Sequence, residues 1–87
     1  MTIDRAALAF IAGRFPALYT DSALTLRLAA AGATDTPITQ EAVSAALRRL
    51  HREGWAELNV DYDGAAAWGA TPAGKRRWLL DGGPHVG

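Results

Sequence analysis

Residues 39–55, TQEAVSAALRRLHREGW, contain the best-defined helical pattern of the chain. Its apolar residues recur at the three- and four-residue spacing that places them on one face of a helix; they are Val43, Ala46, Leu47 and Leu50. Thr39 supplies an N-cap, because a threonine hydroxyl accepts a hydrogen bond from a free amide of the first turn. Gly54 then ends the helix. We therefore predict a helix from residue 39 to about residue 53.

The opposite face of this helix carries arginines. With about 100° of rotation per residue, Arg48 and Arg52 lie away from the apolar stripe, and Arg49 and Ser44 lie on the flanks. A helix fits the major groove of DNA, where arginine contacts guanine or phosphate and residues near the helix start, here Gln40 and Ser44, reach base edges. The alternative is a solvated face whose late arginines complement the negative helix C-terminus.

The chain before residue 39 predicts two shorter helices. Thr2 caps a first helix over residues 3–12, which carries its own apolar stripe at helical spacing. A second helix begins at Asp21 or Ser22 and runs to about residue 31. Residues 16–19 fit either a separate turn or an early start of that second helix.

The chain after residue 54 predicts a β-hairpin followed by a helix. Asp63-Gly64 is a strong hairpin-turn signal, so residues 55–60 and 65–70 are expected to pair as strands. Thr71-Pro72, an N-cap followed by a proline, starts a last helix that runs to residue 80. These elements give a mainly α fold with a small hairpin, in one domain over residues 1–80. Residues 81–87, with three glycines and a proline, are predicted to form a flexible tail.

Two segments resemble the winged helix-turn-helix domain of MarR- and PadR-like transcriptional regulators. Leu47, Leu50 and Gly54 match the Leu-x-x-Leu-x-x-x-Gly pattern that ends the third helix of that domain. The segment TPAGKR, residues 71–76, resembles the Leu-Thr-Pro-x-Gly-Arg segment that follows its wing. The resemblance covers about residues 21–80 and implies a winged helix whose third helix binds double-stranded DNA in the major groove. The DNA-binding residues it implies on that helix are Gln40, Ser44, Arg48, Arg49 and Arg52.

The charge of the chain favours a second possibility. Nine basic residues balance nine acidic ones, so no strong positive field draws the protein to nucleic acid. The predicted tip of the hairpin carries Asp61 and Asp63, whose carboxylates repel phosphate. The alternative function is therefore a winged-helix protein–protein interaction module, which as a subunit, adaptor or inhibitor docks on a protein partner without binding DNA.

The small size of the chain predicts self-association. Its 87 residues build one thin core, and the sequence offers neither a disulfide nor a metal cage to reinforce it. We therefore expect a homodimer. Trp78, Leu79 and Leu80 are the candidate interface, because three adjacent apolar residues cannot all face one side of a helix and tryptophan is enriched at interfaces.

Several other functions are excluded by the composition. The absence of cysteine excludes zinc fingers, iron–sulfur clusters and thiol catalysis. Residues 69–75 match most of a phosphate-binding loop, but Arg76 stands where magnesium needs a hydroxyl. No spacing of nucleophile, base and acid predicts catalysis, and no apolar run reaches the roughly 18–20 residues of a membrane span. We expect a cytoplasmic protein without a signal peptide, cofactor, metal or enzymatic activity.

Overall fold

A computed structural model describes residues 1–60 and 63–87, and in it the chain is mainly helical with one antiparallel hairpin. The elements are α1 (Ile3–Gly13), α2 (Asp21–Ala30), α3 (Gln40–Arg52), β1 (Ala56–Val60), β2 (Ala66–Ala70) and α4 (Pro72–Leu80). This confirms the predicted mainly α class and the element order. No helix in the described residues is both long and apolar enough to cross a bilayer. Asp61 and Tyr62, which fall in the predicted hairpin tip, lie outside the described residues.

A threonine caps the start of each of these four helices. The side chains of Thr2, Thr39 and Thr71 accept hydrogen bonds from backbone amides of the first turn, as their positions in the sequence predict. The start of α2 is set by Thr20, whose hydroxyl accepts from the amide of Ala23 at 3.2 Å. Asp21, one of the two predicted starts, is therefore the first residue of α2.

The core forms around α1, and the residues of α3 that are buried in this core determine which side of α3 faces outward. Seven consecutive residues of α1, positions 6–12, are buried, four of them alanines that let other elements approach closely. The stripe predicted for α3 is confirmed, since Val43, Ala46, Leu47 and Leu50 are all buried. Because this stripe faces α1 and α2, the arginine-bearing side of α3 faces outward.

The hairpin is joined to the helices by the segment before α2. β1 and β2 pair with Leu58 opposite Trp68, and Tyr19 adds a bridge on the far side of β2. The amide of Tyr19 donates to the carbonyl of Trp68 at 2.8 Å, and the amide of Trp68 donates back at 2.7 Å. Residues 16–19 therefore form a separate segment rather than an early start of α2. Among the described residues, β1 and β2 each begin one residue later than predicted, at Ala56 and Ala66.

Residues 81–87, for which the glycine content predicts a flexible tail, pack against α1 in the structure. Gly82 and Gly83 take positive φ values of 96° and 61° and reverse the chain after α4. Val86 is only 6% exposed, and the guanidinium of Arg14 donates to the carbonyl oxygen of Val86 at 2.9 Å. Local sequence pattern does not predict this packing, because Arg14 and Val86 are 72 residues apart along the chain.

Candidate functional site

The outward side of α3 carries two arginines that pair with no residue in the described part of the chain. We define the outer face of α3 as Glu41, Ala45, Arg48 and Arg52, which recur at helical spacing. Arg48 and Arg52 are exposed, and neither forms a hydrogen bond or an ion pair with any residue of the described ranges. Residues four apart on a helix are neighbours, so Arg48 and Arg52 lie on adjacent turns of the same exposed face. Guanidinium groups in such an array can donate to phosphate oxygens or to the edge of guanine.

Arg49, the third arginine of α3, is held by α1. Its Nε donates to Oδ2 of Asp4 at 2.8 Å and its Nη2 donates to Oδ1 at 2.7 Å, which makes the ion pair bidentate. The hydrogen bonds from Arg49 to Asp4 raise the pKa of the guanidinium above its ordinary value. The charge of Arg49 is therefore compensated by Asp4, whereas Arg48 and Arg52 form no ion pair with any residue of the described ranges.

Ser44 is held by α2 through Asp21. The hydroxyl of Ser44 donates to Oδ2 of Asp21, and Oδ1 of the same carboxylate accepts from the indole Nε1 of Trp68 at 2.6 Å. Asp21 thereby connects α2, α3 and β2 and fixes the position of α3 against the hairpin. Sequence patterns did not identify this role for Asp21, because its partners lie 23 and 47 residues away along the chain. Gln40, by contrast, is exposed as the first residue of α3.

Aromatic rings and acidic side chains lie where α3 adjoins the hairpin. The exposed ring of His51 meets the buried ring of Trp68 edge to face, with 6.0 Å between ring centroids. On the hairpin itself the exposed charged residues that the structure describes are Glu57 and Asp63. The positive charge of the candidate site therefore comes from α3, and the hairpin contributes negative charge.

The basic run on α4 is partly occupied by packing. Lys75 lies over the ring of Phe15 at 5.2 Å, and Arg77 lies over Trp55 at 5.3 Å while it pairs with Asp81. Arg76 is exposed and unpartnered within the described part of the chain. Lys75 and Arg77 therefore contact other residues of the protein, whereas Arg76 makes no such contact in the described part of the chain.

The three residues of the candidate interface separate in the structure. Trp78 is half-buried against the core, and its Nε1 donates to the carbonyl of Pro84 at 2.8 Å. Leu79 and Leu80 are exposed. The turn of the helix thus places Trp78 against the body of the protein and leaves only the two leucines facing outward.

Comparison with models of known protein families, with curated proteins and with solved structures finds no match. The function is therefore inferred from the geometry of α3. Of the residues predicted to contact DNA, Gln40, Arg48 and Arg52 are exposed on α3 without a competing partner in the described chain, whereas Ser44 and Arg49 are bound to carboxylates of other helices.

Proposed function

We propose that this protein is a winged-helix transcriptional regulator that binds duplex DNA sequence-specifically with α3 in the major groove. One observation carries this proposal: Arg48 and Arg52 are exposed on a 13-residue helix whose opposite face is buried, and neither pairs with any residue among positions 1–60 and 63–87. The order of helices and hairpin is the order expected for a winged helix. In this arrangement the hairpin is the wing beside α3.

The five predicted contact residues take different parts in this binding. Arg48 and Arg52 donate to guanine edges or to phosphates, and Gln40, at the start of α3, is placed to meet an adenine edge. Ser44 acts chiefly through Asp21, which holds α3 in position. Arg49 adds a contact only to the extent that Asp4 releases it.

The proposal is tested by a salt titration of binding to mixed genomic duplex, followed by fluorescence anisotropy. Arg48→Ala combined with Arg52→Ala is expected to weaken binding and to make the slope of log affinity against log salt shallower by about 2, since each phosphate contact contributes about 0.9. The matched control is Arg5→Ala combined with Arg27→Ala, which removes the same charge from exposed positions on α1 and α2. If both double variants bind as the wild type does, the assigned role of α3 is wrong.

A second function is supported by the charges around α3. Glu57 and Asp63 are exposed on the hairpin, and Arg49 is neutralised by Asp4, so the surface suits a protein partner as well as a nucleic acid. The second candidate function is therefore a winged-helix protein–protein interaction module. Failure to bind duplex at low salt, together with specific capture of one protein from a lysate, would support this function. Enrichment of one motif from a random duplex pool would support the regulator.

A further inference from the structure

One side chain of the hairpin, the indole of Trp68, is linked to α3 at two points. Trp68 is only 6% exposed, and both hydrogen-bonding groups of its backbone are bound to Tyr19, at 2.8 and 2.7 Å. This bridge brings the carboxylate of Asp21, two residues after Tyr19, within 2.6 Å of the indole Nε1. Both the backbone and the indole of Trp68 therefore have fixed partners.

The two links to α3 lie two turns apart on the helix. In the first link, the carboxylate of Asp21 accepts from Nε1 of Trp68 and from the hydroxyl of Ser44. In the second link, the ring of His51 meets the indole edge to face, with 80° between the ring planes. Ser44 and His51 are seven residues apart, so they lie on one side of α3 and about 10 Å apart along its axis. Two contacts with this separation oppose both the rotation of α3 about its axis and its tilt.

Arg48 lies between these two links. It follows Ser44 by four residues and precedes His51 by three, and both spacings make residues neighbours on the surface of a helix. A rotation of α3 would therefore change the direction in which the guanidinium of Arg48 projects. Hydrogen bonds to a base edge depend on direction as well as distance. The rotation of α3 thus determines which base edge Arg48 can meet.

We propose that Trp68 is a positioning residue for DNA recognition: through Asp21 it sets the rotation of α3 and thereby the base preference of Arg48. This inference rests on the proposed binding of DNA by α3. In this role Ser44 does not contact a base itself, because its hydroxyl is engaged by Asp21. A substitution at a buried position of the hairpin then changes sequence preference although that position does not touch DNA.

Two substitutions break the connection on either side of Asp21. Trp68→Phe keeps an aromatic ring but removes the Nε1–H donor, and Ser44→Ala removes the hydroxyl donor while alanine favours the helix. Each is expected to lower the preference for a motif selected from random duplexes, relative to mixed duplex, about tenfold, as for one mismatched base pair. The slope of log affinity against log salt is expected to stay unchanged, because no phosphate contact is lost.

The double variant separates positioning from direct contact. Because both substitutions act through one carboxylate, the double variant is expected to lose no more preference than either single variant. Trp78→Phe is the matched control, since it removes another indole donor, the one bound to the carbonyl of Pro84, and should leave the preferred motif unchanged. Unchanged preference in Trp68→Phe would overturn the proposal. So would a double variant whose loss is the product of the two single losses, because Ser44 would then act independently of Trp68.

NMR residual dipolar couplings test the positioning of α3 without DNA. The orientation of α3 relative to β1 and β2 is expected to change in Trp68→Phe and in Ser44→Ala, and to stay the same in Trp78→Phe. A wild-type chain that binds no duplex would refute the proposed function and with it the base preference. An α3 orientation that is unchanged in both variants would refute the positioning role of Trp68 alone.

Discussion

At the scale of single residues, Gly74 shows how closely the elements approach one another. A Cβ atom at this buried position would lie 2.0 Å from the backbone oxygen of Trp55. Only glycine therefore allows α4 to pack on the residue before β1. Residues 69–75 resemble a phosphate-binding loop, but two of them have structural roles. Gly74 is needed for packing, and Thr71 caps α4.

Gly74→Ala is accordingly expected to destabilise the fold by about 3 kcal/mol, at the upper end for overpacking, because the clash is with backbone. Gly13→Ala is the matched control, since its Cβ would sit at an ordinary 3.6 Å from the ring of Trp78 and alanine favours the helix. The free energy of unfolding from urea denaturation measures both. Equal stability of the two variants would contradict the packing described for α4.

The polar partners of the candidate site could not be predicted from the sequence. Arg49 and Asp4 are 45 residues apart, and Trp68 and Asp21 are 47 apart. Periodicity and capping patterns report on residues within a few turns of one another. They correctly placed Arg48 and Arg52 outside, but they gave no information on which carboxylate would approach Arg49 or Ser44.

At the scale of elements, helix starts were predictable and connections were not. Thr39 and Thr71 cap α3 and α4 through bonds to amides three residues ahead, so the signal is local. The segment before α2 takes its conformation from Trp68, on a distant strand. In α3 too, the buried stripe can be predicted from the sequence of the helix itself, whereas the ion pair of Arg49 depends on Asp4 in α1.

Asp4→Asn tests this coupling between α1 and α3. If α3 binds duplex DNA, removal of the carboxylate charge frees Arg49, and we expect tighter binding and a salt slope steeper by about 1. Asp35→Asn, which removes the same charge from the exposed loop before α3, is the control and should have a smaller effect. Anisotropy titrations measure both variants. Indistinguishable affinities would mean that Arg49 takes no part in binding.

At the scale of the whole molecule, the core is small, and residues 81–87 pack against it. Val86 packs among residues of the core, and Arg14 holds the backbone of Val86 and Gly87. Because glycines and a proline are typical of flexible termini, the sequence does not predict this contact. A domain of this size buries a modest fraction of its surface, so burial of one more valine side chain increases the buried apolar area substantially.

Val86→Ala is therefore expected to lower the free energy of unfolding by about 1.5 kcal/mol, the value of two buried methyl groups. His85→Ala, at the exposed neighbouring position, should change stability little. Thermal or urea unfolding compares the two variants. An unchanged free energy of unfolding for Val86→Ala would show that residues 81–87 do not contribute to the core in solution.

Contact between DNA and the outer face of α3 is tested by an NMR titration of the isotope-labelled chain with duplex DNA. The side-chain Nε signals of Arg48 and Arg52 report on the guanidinium groups themselves. We predict that these two signals and the amide of Gln40 change most on binding, and that the amides of Leu79 and Leu80 change little. If the chain binds DNA, the Nε signals of Arg48 and Arg52 do not shift, and only residues of α4 change, then α3 does not contact DNA through its outer face.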